Sequence, residues 1–241
     1  MAIKEIKYNN NRYKISYIQV GDSSRVILFL HGWGSSKEAL HGNFKSYLKD
    51  YKHIYIDMPG FGNSPNSNIL TTKDYANIIK IFLEELNIEP EVIVGHSFGG
   101  KVATLLNPPN LVLLSSAGVL VPKPLGVKVK IAMFKMLKPL GIKKFRELFV
   151  ADDAKSMNHG MYETFKNVVD EYFEDNFKNY KGKALLFWGK EDSATPLWSG
   201  EKIESLIENS KLYPLDGDHF FFINNSKFIA QSIEQELQGA L

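Results

Sequence analysis

The sequence predicts an α/β fold, a mostly parallel central sheet with helices on both faces. Three observations predict it. Short apolar runs recur at 26–30, 53–56, 91–94, 111–114, 184–188 and, more weakly, 211–215. Runs of this kind suit strands buried on both faces. Stretches with apolar residues at helical spacing lie between them. Finally, the 241 residues alternate strand and helix except in one stretch, which leaves room for a single large sheet with one insertion.

Each element has its own signal. Residues 3–8 and 13–20 read as two strands joined through the turn-prone Asn9-Asn10-Asn11. Val26-Ile27-Leu28-Phe29-Leu30 is the first strand expected to be buried on both faces. Residues 72–86 (TKDYANIIKIFLEEL) read as an amphipathic helix capped by Thr71 or Thr72. Stretches 197–207 and 226–237 read as helices on the same grounds. Residues 119–182 hold no strand signal, only helical stretches around 127–138, 142–150 and 155–178. A segment that long exceeds an ordinary crossover. It is expected to be a helical cap at 119–182, inserted into a core domain formed by 1–118 and 183–241.

Composition excludes several classes. The net charge of +2 is too small to point to nucleic acid. Arg12, Arg25 and Arg146 are the only arginines, so bidentate anion recognition is not a general theme. With no cysteine, disulfides, thiolate metal sites and cysteine nucleophiles are ruled out. The start, MAIKEIKYNN, lacks the apolar core of a signal peptide, and no apolar run reaches membrane-span length. The expectation is a soluble, cytoplasmic protein. Gly60-Phe61-Gly62 looks like the start of a dinucleotide fingerprint, but the third glycine is missing, which argues against a nucleotide site.

The chemistry-bearing segment is Gly95-His96-Ser97-Phe98-Gly99, a G-x-S-x-G between a strand-like run and a helix-like stretch. A serine in such a tight turn projects its hydroxyl above the sheet, and crowded neighbouring backbone requires small flanking residues. Ser97 is therefore the expected nucleophile. Oxyanion donors are expected from the backbone N–H groups of Phe98 and, in the turn His31-Gly32-Trp33-Gly34, of Trp33. Asp192, after the strand 184–188, is the expected acid, with Glu191, Asp216 and Asp218 as rivals. Of the six histidines, His219 follows the last strand-like segment and gives the chain order Ser, Asp, His. His96 should point away from the serine, and His31 should order its turn. His41, His53 and His159 are expected in packing roles.

Together, HGWG at 31–34, DMPGFGNS at 57–64, GHSFGG at 95–100, WGKEDSATP at 188–196 and GDH at 217–219 resemble the α/β-hydrolase superfamily. The resemblance implies the α/β-hydrolase fold, a carbonyl-directed hydrolase and no cofactor or metal. Carboxylesterase is the favoured activity, with a thioesterase or a C–C bond hydrolase of ring-cleavage products as alternatives. Ser35 after Gly34 and Phe220 after His219 depart from the C–C hydrolase pattern. A non-catalytic binding protein on this fold is the alternative of another class. Two departures concern the site: the helix after the elbow looks short, with Asn107-Pro108-Pro109 following Leu106, and Asp218 stands where the family usually has Gly.

The expected substrate is a small-molecule ester with a small or medium acyl group, held by Trp33, Phe98, Trp198 and Phe220. Residues 121–146 carry eight basic residues and no acid, whereas 147–175 carry eight acids. This layout is expected to form two mutually attracting solvated faces; a docking surface for an acidic partner such as a carrier protein, or for an anionic membrane surface, is the functional alternative.

Overall fold

The computed structural model describes residues 1–122 and 158–238. Eight strands form one sheet: β1 (Ala2–Tyr8), β2 (Asn11–Val20), β3 (Val26–Leu30), β4 (Lys52–Ile56), β5 (Val92–His96), β6 (Asn110–Leu114), β7 (Lys183–Gly189) and β8 (Ser210–Leu215). Their spatial order is β1-β2-β4-β3-β5-β6-β7-β8. β2 pairs antiparallel with β1 and β4, and all other neighbours are parallel. Asn9 and Asn10 make the first hairpin with φ of +46° and +62°. Asparagine tolerates this region, and a two-residue hairpin turn of this type requires it twice.

The described helices are α1 (Lys37–Phe44), α2 (Thr72–Glu85), α3 (Phe98–Leu106), α4 (His159–Val169), α5 (Glu174–Asn179), α6 (Leu197–Leu206) and α7 (Phe222–Gln238). Side-chain alternation on β3 explains why both sheet faces are covered. Val26, Leu28 and Leu30 join one core with Ile78, Ile79 and Phe82 of α2. Ile27 and Phe29 join the other with Phe44 of α1 and Ile229 and Ile233 of α7. Each such side chain contributes about 1.5–3 kcal/mol when fully buried. The start of α2 is fixed by a reciprocal capping box between Thr71 and Asp74, so Thr71 is the cap.

The structure differs from the sequence expectation in two places. The last helix begins at Phe222, one turn before 226. The helical stretch expected at 155–178 is broken into α4 and α5. The break has a physical cause: Lys101 Nζ donates to the Val168 carbonyl at 2.8 Å, and the chain then turns to bury Phe173 and Phe177 against the core. Two acids of the acidic stretch pair with lysines of the core. Glu171 pairs with Lys101 of α3 at 2.6 Å, and Glu174 with Lys202 of α6 at 3.7 Å. The helices expected at 127–138 and 142–150, and the basic residues from Lys123 to Arg146, lie outside the described residues. So does most of the expected cap. Among the described residues, no helix is long and apolar enough to cross a membrane.

Candidate active site

Parallel strands deliver their following loops to one edge of the sheet, where ligands of open α/β sheets bind. Trp33 lies in the loop after β3, Ser97 directly follows β5, Asp192 follows β7 and His219 follows β8.

Ser97 has φ +50° and ψ −116°, a backbone conformation that costs an L-residue about 1–3 kcal/mol. Neighbouring chain holds it there. Its N–H donates to the Leu114 carbonyl at 3.1 Å, and its own carbonyl accepts from Gly100 and Ala117, each at 3.0 Å. The flanking glycines are steric requirements. A Cβ at position 95 would sit 2.5 Å from the Gly99 carbonyl oxygen, and one at 99 would overlap the carbonyl oxygen of Leu30. Gly99→Ala is therefore expected to cost about 3 kcal/mol, about 10 °C in Tm, read by thermal denaturation. An unchanged Tm would contradict this packing. Although α3 is short, ending at Asn107 in the left-handed region, Val102 and Ala103 are fully buried beneath the elbow.

Asp192 is 4% exposed and takes four donors. Oδ1 accepts the N–H groups of Ala194 at 2.8 Å and Thr195 at 2.9 Å. Oδ2 accepts from His219 Nδ1 at 2.7 Å and from the Thr195 hydroxyl at 2.8 Å. Burial alone would raise the carboxyl pKa; the bonds from His219 and Thr195 outweigh it and bring the value down to about 2. Because a carboxylate only accepts, Nδ1 of His219 is the donor of this bond, and in the neutral imidazole the lone pair is then on Nε2. Among the described residues, no hydrogen bond joins Ser97 Oγ to His219.

The rival acids lie elsewhere. Glu191 is exposed and accepts the Gly217 N–H, Asp216 pairs with Lys190 at 2.7 Å, and Asp218 turns outward to accept the Phe220 N–H at 2.8 Å. The other histidines have separate partners. Buried His96 donates from Nε2 to the His219 carbonyl at 3.0 Å, with its ring 4.8 Å from that of His219. Burial, reinforced by His219, pushes the His96 pKa down to about 3, so its ring stays neutral. His31 accepts the Met58 N–H on Nε2 at 3.1 Å, and its Nδ1 lies 2.7 Å from the Gly32 carbonyl. It thereby orders the turn, and burial lowers its pKa as well. His53 is buried between Tyr55 and Leu48, His41 packs edge-on against Tyr55, and His159 is exposed at the start of α4.

Phe98 opens α3, so its N–H is one that a helix leaves without an intrahelical partner. Gly32 brings the preceding loop against the elbow: a Cβ there would lie 3.1 Å from Ser97 Cβ. The Trp33 ring meets that of Phe98 edge-on at 5.6 Å. A cavity of about 320 Å³ opens beside Ser97, walled by Trp33, Phe98, Phe165, Val168 and Thr195 among others. Two of the four expected pocket residues thus line it. Trp198 and Phe220 do not; Trp198 is exposed on α6, and the Phe220 ring lies 5.4 Å from the His96 ring.

Sequence reasoning missed three contributors. Phe165 reaches the pocket from α4, on a segment read only as coarse helix. Thr195 bonds Asp192 from three residues on, a spacing at which threonine commonly turns back on an acid. Buried Lys37 bonds Asp57 through both its N–H, at 2.9 Å, and its Nζ, at 2.6 Å. Asp57 also accepts the Asn63 N–H at 2.8 Å, so it joins the start of α1 to two points of the loop after β4. Asp57 was visible only as part of DMPGFGNS, and Lys37 carried no signal.

These features define a hydrolase of the α/β fold. The family model described as "alpha/beta hydrolase fold" matches residues 25–112, and the chain has the α/β-hydrolase fold. It is 26% identical over 223 residues to an uncharacterized hydrolase of Bacillus subtilis, covering 79% of this chain and 81% of that protein. It is 24% identical over 238 residues to a 2-hydroxy-6-oxononadienedioate/2-hydroxy-6-oxononatrienedioate hydrolase of Burkholderia vietnamiensis, covering 83% and 82% of the two chains. An esterase from Exiguobacterium antarcticum superposes with a TM-score of 0.74 at 21% identity, covering 94% of this chain and 96% of that one, a likeness of fold.

Proposed function

We propose that the protein is a serine carboxylesterase acting on uncharged esters of small or medium acyl groups, with Ser97, Asp192 and His219 as its catalytic residues. The observation that carries this reading is the 2.7 Å bond from His219 Nδ1 to buried Asp192, at the same sheet edge as the strained Ser97.

The steps follow from the protonation states. Ser97 Oγ attacks the ester carbonyl carbon while its proton passes to the free lone pair of His219 Nε2. Asp192 holds the imidazole in that tautomer and stabilises the imidazolium. The carbonyl oxygen, now negative, is taken by the N–H groups of Phe98 and Trp33, each worth about 3 kcal/mol or more in such a role. The C–O bond then breaks, and the leaving alcohol takes the proton from His219. Water, deprotonated by His219, attacks the acyl-enzyme and releases the acid and free Ser97.

The pocket supports an uncharged acyl group. Its described wall is largely apolar, with Trp33, Phe98, Leu120, Phe165 and Val168. By its name, the Burkholderia relative acts on a dioate, which carries two carboxylates and calls for cationic partners. A thioesterase would use the same residues, and its substrate differs only in the leaving group. The expected result is turnover of p-nitrophenyl acetate, butyrate and hexanoate, each with kcat/KM about 100-fold above that for a dienedioate ring-cleavage product. Faster turnover of the dienedioate would replace the ester reading by the C–C hydrolase one; faster turnover of butyryl thioesters would replace it by thioesterase. No turnover and no fluorophosphonate labelling would leave a binding protein.

A further inference from the structure

Thr195 occupies the only junction of the loops after β6, β7 and β8 that the described hydrogen bonds reveal. It follows Asp192 by three residues and is 8% exposed. Its Oγ1 lies 2.8 Å from Asp192 Oδ2, 3.1 Å from the Ser115 carbonyl oxygen and 3.3 Å from His219 Nδ1. Its N–H also holds Asp192 Oδ1 at 2.9 Å. A hydroxyl has one proton and two lone pairs, so it can donate to the carboxylate or to the Ser115 carbonyl while accepting from another group. Valine has the same shape and neither capacity.

The Ser115 contact extends this junction to the elbow. Ser115 is a buried non-glycine residue with φ +43°, a conformation that persists only where surroundings impose it. It lies between the two residues that anchor the Ser97 backbone: Leu114, whose carbonyl takes the Ser97 N–H, and Ala117, whose N–H donates to the Ser97 carbonyl. A short covalent and hydrogen-bonded path therefore runs from Ser97 through Ser115 and Thr195 to Asp192 and His219. Thr195 also lines the cavity beside Ser97.

We propose that Thr195 is a positioning residue: its hydroxyl donates to Asp192 Oδ2 and aims that oxygen at His219, and its contact with the Ser115 carbonyl at 3.1 Å seats the pair against the chain segment that anchors Ser97. The proposal rests on the hydrolase reading above. Its effect falls on the geometry of proton transfer and not on substrate affinity. The groups facing the His219 ring are Asp192 from the loop after β7 and neutral His96 from β5, while Asp218 turns outward; none of them reaches Ser115 in place of Thr195.

The test compares Thr195→Val and Thr195→Ser with the wild type on p-nitrophenyl butyrate, alongside the Nδ1–H proton resonance of His219 in enzyme carrying 15N-histidine. Thr195→Val is expected to lower kcat about tenfold with KM within about twofold, as for a sub-ångström misplacement. It should also shift or broaden the His219 resonance. Thr195→Ser, which keeps the hydroxyl, is expected to recover kcat to within about threefold and to restore the resonance. Where Thr195→Val does not fold, Thr195→Ala carries the same expectations. Wild-type kcat in Thr195→Val, or a Thr195→Ser variant as impaired as Thr195→Val, overturns the proposal. An inactive, unlabelled wild type overturns the hydrolase reading instead; the His219 resonance then decides whether Thr195 holds the pair.

Discussion

Replacing Ser97 by alanine is expected to lower kcat on p-nitrophenyl butyrate by about 10⁵–10⁶-fold and to abolish fluorophosphonate labelling. The size follows from the role. In the proposed mechanism Ser97 Oγ forms the acyl-enzyme, and among the described hydrogen bonds the one other side-chain hydroxyl that reaches the Asp192–His219 pair is that of Thr195, whose single proton is engaged by Asp192 or the Ser115 carbonyl. Residual turnover would come from polarisation of the carbonyl by the Phe98 and Trp33 amides, which survive the substitution. The fold should survive as well. Alanine at 97 meets the same backbone strain as serine, and the anchoring bonds from Leu114, Gly100 and Ala117 are all made by backbone atoms. Tm is therefore expected to stay within about 2 °C of wild type, the scale of a 0.5 kcal/mol change. Retained labelling in a folded Ser97→Ala protein would remove Ser97 from the mechanism.

Ser97 was legible in the sequence because its signals are local. An elbow needs a buried strand, glycines where backbone crosses backbone, and a helix start, all within residues 91–106. Asp192 and His219 were legible for a related reason: each follows a short apolar run, and parallel strands send such loops to one edge. What was not legible is set by contacts between distant segments. Lys37 and Lys101 are both 1% exposed, although a lysine in a sequence reads as a surface residue. Their burial depends on Asp57, and on Glu171 and the Val168 carbonyl, partners 20 to 70 positions away. The break between α4 and α5 falls at such a contact, where Lys101 of α3 takes the Val168 carbonyl in the last turn of α4. Trp198 and Phe220 were assigned to the pocket for standing near site residues in the chain. Nearness along the chain does not fix direction: Phe220 lies against His96, and Phe165 from α4 takes the pocket wall.

Asp192→Asn separates the position of the acid from its charge. The asparagine side chain fits the same space, and its single oxygen has a clear preference. The backbone N–H groups of Ala194 and Thr195 both point at the Oδ1 site, so the amide oxygen settles there and the NH₂ group faces His219 Nδ1. Two donors cannot face each other. His219 must therefore shed its Nδ1 proton and carry it on Nε2, the nitrogen that has to receive the Ser97 proton. The expected loss in kcat is about 10⁴-fold, the size seen when a triad acid becomes its amide and the histidine adopts the wrong tautomer. The loss should persist at neutral pH, because the wild-type carboxyl, with a pKa of about 2, is fully ionised there. Stability gives an independent check with a definite sign. A carboxyl depressed from 3.8 to about 2 stabilises the fold above its unfolded pKa, and loses that contribution as pH falls through the folded value. The wild type is thus expected to exceed Asp192→Asn in urea midpoint at pH 7, with the gap narrowing between pH 4 and pH 2. A variant that keeps wild-type kcat would show that Asp192 does not set the tautomer of His219. A gap that stays constant down to pH 2 would show that the charge of Asp192 does not stabilise the fold.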